Sequence, residues 1–216
     1  MLARPDLGIP ALVALLFGFA SALNTGCGDD DDDGCYGGEC VCHQGVSSCH
    51  FGCAKPPCHV ACLGDNDDCR GVCANGSCSC GDDSHCVFEC RSPPCHVDCE
   101  GDSCSGTCAN GDCRCAPASV CQFSCLAPPC HVACEGDNPS CEGACANGTC
   151  SCAPGSTCAF TCLDSNCGVV CEPGSRCTLS CPEGNPGTQG CDIDCGAGSV
   201  SSCADGSLAC GMACPG

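Results

Sequence analysis

The chain has 216 residues, of which 39 are Cys, 30 Gly and 15 Pro, and its formal charge is −20. Leu, Ile, Val and Phe together number 31, ten of them within residues 1–26, and there is one Tyr and no Trp. The rest of the chain therefore cannot build an apolar core of ordinary size, which excludes an enzyme of Rossmann or barrel type, and the negative field excludes nucleic acid and anionic lipid headgroups as partners.

Residues 1–26 differ in composition from everything after them. Arg4 precedes the uncharged apolar run Leu7–Ala22. That run is short for a membrane span, which needs about 20 residues, but it suits the apolar region of a signal peptide. Two processing sites compete. Ala20-Ser21-Ala22 is a small-x-small cleavage site that would release a soluble, secreted protein. Leu23-Asn24-Thr25-Gly26-Cys27 resembles a bacterial lipobox, with Leu23 one place further from the Cys than usual. It implies lipidation at Cys27. Parity supports this choice: with Cys27 lipidated, 38 Cys remain, enough for nineteen bridges and no free thiol. Residues 27–34 hold five consecutive Asp, Asp29–Asp33, and read as an extended acidic tether.

Residues 35–181 read as a tandem repeat. Cys73-Ala74-Asn75-Gly76 recurs at Cys108 and at Cys145, offsets of 35 and 37 residues, and a diverged copy opens at Cys35. Each copy continues as CxC, CxFxC, PPCHVxC and CxGxC. The fourth keeps Phe160 but has Ser165-Asn166 for the two Pro and Gly168 for the His. A beat of about nine residues runs inside the long period. Its unit is Cys-x-φ-x-Cys followed by turn-forming residues, so both Cys and the central residue share one face of a short strand. Residues 182–216 form a degenerate terminal repeat. After residue 26 nothing shows a helical period.

The fold class is therefore small, disulfide-rich and all-β. One architecture is a β-solenoid with two units, about 18 residues, per coil, in which Phe and Gly alternate on one wall. The other is a meander of antiparallel hairpins turning at Asn75-Gly76, Asn110-Gly111 and Asn147-Gly148. The flanking Cys of such hairpins would face each other at bridging distance, which makes Cys73–Cys78, Cys108–Cys113 and Cys145–Cys150 the candidate disulfides. Either way the bridges replace the core, and full reduction unfolds the protein.

Four CxC pairs, Cys40/Cys42, Cys78/Cys80, Cys113/Cys115 and Cys150/Cys152, invite comparison with metallothioneins. The dominant spacing is nevertheless C-x3-C, not the CxxC of zinc knuckles, and a secretory segment leads to an oxidising compartment. No cofactor and no metal ligand set is assigned. His59, His96 and His131 lie at outward strand positions two coils apart, on the order of 10 Å, too far to share a zinc ion. Asp65, Asp102 and Asp137 recur in acidic Gly-Asp turns, without the glycine-rich motif of calcium-binding nonapeptide rolls. Asn75 and Asn147 stand in N-x-S/T acceptor motifs, which in a bacterial protein are simply turns.

The lipobox-like start, the poly-Asp tether and the tandem Cys-x-φ-x-Cys units resemble the cysteine-rich repeat lipoproteins encoded by myxobacteria and their relatives. That resemblance covers essentially the whole chain. It implies a location at the outer membrane or cell surface and a repeat architecture, not an activity. The reading is a non-enzymatic, exported spacer, adhesin or protective element, held to the membrane by its N-terminal lipid. The alternative is a metal-sequestering exported protein. An extracellular protein or a glycan is the remaining class of partner, and the sequence names neither.

Overall fold

A computed structural model describes residues 35–164, 166–181 and 190–214. The expected signal segment, the expected lipidation site Cys27 and the expected acidic tether lie outside the described residues. Among the described residues fifteen strands follow one another with no intervening helix. The first seven are β1 (Cys35–Cys42), β2 (Ser48–Phe51), β3 (Cys53–Cys62), β4 (Asp68–Cys80), β5 (His85–Cys99), β6 (Ser103–Cys115) and β7 (Val120–Cys134). Then come β8 (Ser140–Cys145), β9 (Thr149–Cys152), β10 (Thr157–Cys162), β11 (Cys167–Cys171) and β12 (Arg176–Ser180). The last three are β13 (Cys191–Asp194), β14 (Val200–Ser202) and β15 (Leu208–Cys210).

Pairing is parallel from β1 to β13, each segment on the one a coil later. The chain is a β-solenoid of about seven turns. The hairpin meander is thereby replaced. Asn75 and Asn110 do not reverse the chain: they lie inside β4 and β6, which keep parallel neighbours on both sides. Asn75, Asn110 and Asn147 take positive φ of 49°, 48° and 48°, so they bend the strand round a corner of the coil. The three Pro-Pro peptides, Pro56-Pro57, Pro93-Pro94 and Pro128-Pro129, are cis and sit at the same corner of alternate coils.

Two walls enclose a narrow interior, because period-two alternation turns every second side chain inward. In β5 the buried residues are Cys86, Phe88, Cys90, Cys95, Val97 and Cys99. Along the axis one inward column reads Phe51, Gly71, Phe88, Gly106, Phe123, Gly143, Phe160, Leu179. The alternation of Phe and Gly on one wall is thus present. Opposite it runs Cys40, Val60, Cys78, Val97, Cys113, Val132, and further on Cys150, Val169, Ile193.

The glycines of the first column are required by their neighbours. A Cβ on Gly71 would stand 2.7 Å from Val60 Cγ1, one on Gly143 2.9 Å from Val132 Cγ1, and one on Gly106 3.2 Å from Val97. Each Val therefore leans into the space left by the glycine. Near the C-terminal end Leu179 and Ile193 take the places where the pattern has Gly and Cys, filling the interior with aliphatic bulk. Finally β15 pairs antiparallel with β12 and with β14, closing that edge of the sheet in a different geometry.

Candidate functional site

Seventeen disulfides join described residues, and fourteen of them form two axial ladders, one at each corner of the coil. The first ladder closes the corner that carries the Pro-Pro and Asn-Gly dipeptides. Its rungs are Cys53–Cys58, Cys73–Cys78, Cys90–Cys95, Cys108–Cys113, Cys125–Cys130, Cys145–Cys150 and Cys162–Cys167, all five residues apart. The three pairs named from the sequence are among them, although they close corners of a coil, not hairpins. The second ladder comprises Cys42–Cys49, Cys62–Cys69, Cys80–Cys86, Cys115–Cys121, Cys134–Cys141, Cys152–Cys158 and Cys171–Cys177, six or seven residues apart. Three further bridges, Cys181–Cys191, Cys195–Cys210 and Cys203–Cys214, bind the terminal region.

The CxC pairs are split by this arrangement. Cys78 bridges to Cys73 while Cys80 bridges to Cys86, and Cys113/Cys115 and Cys150/Cys152 divide in the same way. Cys40 is disulfide-bonded as well. Sulfurs locked in bridges are not thiolate ligands.

One rung of the second ladder is open. Cys99 stands in register between Cys80 and Cys115, and Cys104 between Cys86 and Cys121, yet both are free. This overturns the expectation of no free thiol. Both are buried, Cys99 at 0% and Cys104 at 3% exposure. The sulfurs of Cys80, Cys99 and Cys104 lie within 4.8 Å of one another. The hydrogen bond with Cys99, then burial, then the negative charges nearby, Asp98 among them, push the Cys104 thiol well above its ordinary range.

The corner at this rung differs from the like corners two coils away on either side. Between Cys62 and Cys69, and between Cys134 and Cys141, a buried Asn fills the bend. Asn66 Nδ2 donates to the carbonyls of His43 (3.1 Å) and Val46 (2.8 Å), and Asn138 Nδ2 to those of Ala116 (2.5 Å) and Ser119 (3.2 Å). Ser156 Oγ donates to Asn138 Oδ1 at 3.2 Å. The corner Glu100-Gly101-Asp102-Ser103 is two residues shorter and has no such Asn. Gly101 lies where a Cβ would be 2.5 Å from the Ser84 carbonyl oxygen and 2.7 Å from Cys80 Sγ.

The histidines serve the other corner. Ser77, Asp112 and Thr149 donate their backbone N–H to Nδ1 of His59, His96 and His131, at 3.1, 3.2 and 3.2 Å. Each ring lies over the Asn-Gly corner of the next coil. A Cβ on Gly76 or Gly111 would meet the backbone carbonyl of Cys58 or Cys95 at 2.5–2.6 Å, and one on Gly148 would meet the His131 ring at 2.7 Å. A sequence signal for this pairing exists. Every CHV unit is followed one coil later by Asn-Gly, and after Gly168, which replaces the His, no Asn-Gly follows.

The acidic turns are not gathered into one site. Asp65 and Asp137 occupy positive-φ corner positions, and Asp65 accepts a hydrogen bond from Gln44 at 2.9 Å. Asp102 contributes its carbonyl to Val120 N–H at 3.0 Å. Exposed ion pairs join Arg70 to Asp68 (2.8 Å) and Arg114 to Glu135 (2.7 Å). A shallow depression on the outer face of the Phe–Gly wall is lined by Glu89, Ser105, Thr107, Gln122, Ser124 and Glu142. Among the described residues no helix is long and apolar enough to cross a membrane. No family model matches the chain, and comparison with curated proteins and with solved structures finds no match.

Proposed function

We propose that the chain is a non-enzymatic, exported structural protein of the cell surface, a short disulfide-laddered spacer held to the membrane by lipid at Cys27. The observation that carries this reading is the paired ladder itself. Bridges at almost every corner suit an oxidising compartment, outside the reducing cytosol. They also make the coil resistant to local opening, the property a surface-exposed element needs. The axial run from Cys49 to Cys177 takes seven inter-coil steps, about 34 Å at ~4.8 Å per step. The acidic surface keeps such a rod soluble and apart from its neighbours.

Anchoring is tested by expressing the full chain in a bacterium that processes lipoproteins, then fractionating the envelope and measuring the intact mass. The expected result is a membrane-associated protein whose mature form begins at an acylated Cys27, and release of the protein on Cys27→Ala. A soluble mature form beginning after Ala22 would overturn the anchor and leave the secreted form in its place.

A further inference from the structure

We propose that Cys99 and Cys104 are a redox-active dithiol, a rung that opens and closes by exchange with small-molecule thiols and disulfides while the rungs on either side stay bridged. Three observations converge on it. First, the pair occupies a rung position in a ladder whose neighbours on both sides, Cys80–Cys86 and Cys115–Cys121, are closed. The two sulfurs lie within 4.8 Å of each other. Second, the corner is the shortest of that ladder. Four residues, Glu100 to Ser103, span what five or six span elsewhere, without the buried Asn that pins the bends at Asn66 and Asn138. The bend lacks the hydrogen bonds that hold those two bends shut, which gives a small thiol or disulfide access to the pair. Third, both sulfurs are buried and the Cys104 thiol is pushed well above its ordinary range, so the pair is inert while the corner is shut and reacts when the corner opens.

The step balances as an ordinary exchange. A thiolate from one Cys attacks one sulfur of a disulfide RSSR, forming a mixed disulfide and expelling RS−. The second Cys, deprotonated, attacks the protein sulfur of that mixed disulfide, forms Cys99–Cys104 and expels the second RS−. Two electrons pass from the dithiol to RSSR, and the two protons go to the released thiolates. The reverse sequence, run by a small thiol, reopens the rung. This chemistry belongs to the ladder and stands whether or not the chain is anchored.

The test uses the full chain purified without reductant. It is unfolded and alkylated with N-ethylmaleimide, and the label is mapped by peptide mass, before and after the native protein is incubated with glutathione disulfide. The expected result is label on Cys99 and Cys104 before treatment. After it neither carries label, and the protein is lighter by two hydrogens. Reduced glutathione then restores label at those two positions alone. The Cys99→Ser variant keeps every closed rung and is expected to stop at a mixed disulfide between Cys104 and glutathione. Thiols that persist in excess glutathione disulfide overturn the proposal. So does a rung that reduces only when the whole ladder does, label spread over other rungs, or thiols that react only after a chelator is added.

Discussion

At the residue scale the interior is governed by what sits beside each glycine. Gly106 faces the flexible tips of Val97, whereas a Cβ on Gly111 would press on the Cys95 carbonyl oxygen at 2.6 Å. Side-chain tips yield and backbone does not. Gly106→Ala is therefore expected to cost about 1 kcal/mol and Gly111→Ala about 3 kcal/mol, the two ends of the range for overpacking. Thermal unfolding of the two variants checks the order, and equal midpoints would show that the corner relaxes. The histidine contacts are weaker. His131→Ala removes the acceptor of the Thr149 N–H and is expected to cost about 1 kcal/mol, as for a single hydrogen bond. A third prediction concerns acid. Hydrogen bonds from the Ser207 hydroxyl and backbone N–H hold the Asp205 carboxyl below its ordinary range. A depressed folded value means the contribution is present above the ordinary carboxylate range and is lost as pH falls through the folded value. An NMR titration of Asp205 is expected to show that low midpoint, and an ordinary one would sink the turn as drawn.

The coil corner is the unit at the scale of elements, and there the sequence was legible in part. Period-two spacing of Cys-x-φ-x-Cys is a direct record of which side chains face inward, and Phe88 beside Gly106 follows from it. What spacing could not supply was chain direction at Asn-Gly. The dipeptide's tolerance of positive φ suits a tight hairpin and a coil corner equally, and only pairing with strands a coil away decides between them. Nor could a count of Cys reveal the open rung. That rung spans the shortest corner of its ladder, Glu100 to Ser103. Each closed rung of the second ladder restrains a loop of six or seven residues, worth about 2 kcal/mol in the chain-entropy picture. Replacing Cys115 and Cys121 together by Ser is expected to lower stability by about that amount, read as a fall in denaturant midpoint. A loss several times larger would mean that rungs act cooperatively along the axis.

For the whole molecule, the bridges stand where an apolar core would otherwise be. The fully buried side chains include Val60, Val97, Val132, Phe160 and Leu179, but the buried cluster is mostly Cys. Excess reductant is therefore expected to abolish the β-sheet circular-dichroism signal, and a spectrum unchanged by reduction would contradict a bridge-held fold. The fit of Val60 over Gly71, Val97 over Gly106 and Val132 over Gly143 has one more consequence. Consecutive coils are unlike, and like coils recur at every second step. The rod's length is accordingly quantised in pairs. A duplicated or deleted stretch of 35–37 residues restores the alternation, whereas the loss of a single coil sets Phe on Phe in one place and leaves a Val without its recess in another. Growth of such a rod by unequal exchange between repeats has a permitted step of two coils, on the order of 10 Å, and a forbidden step of one.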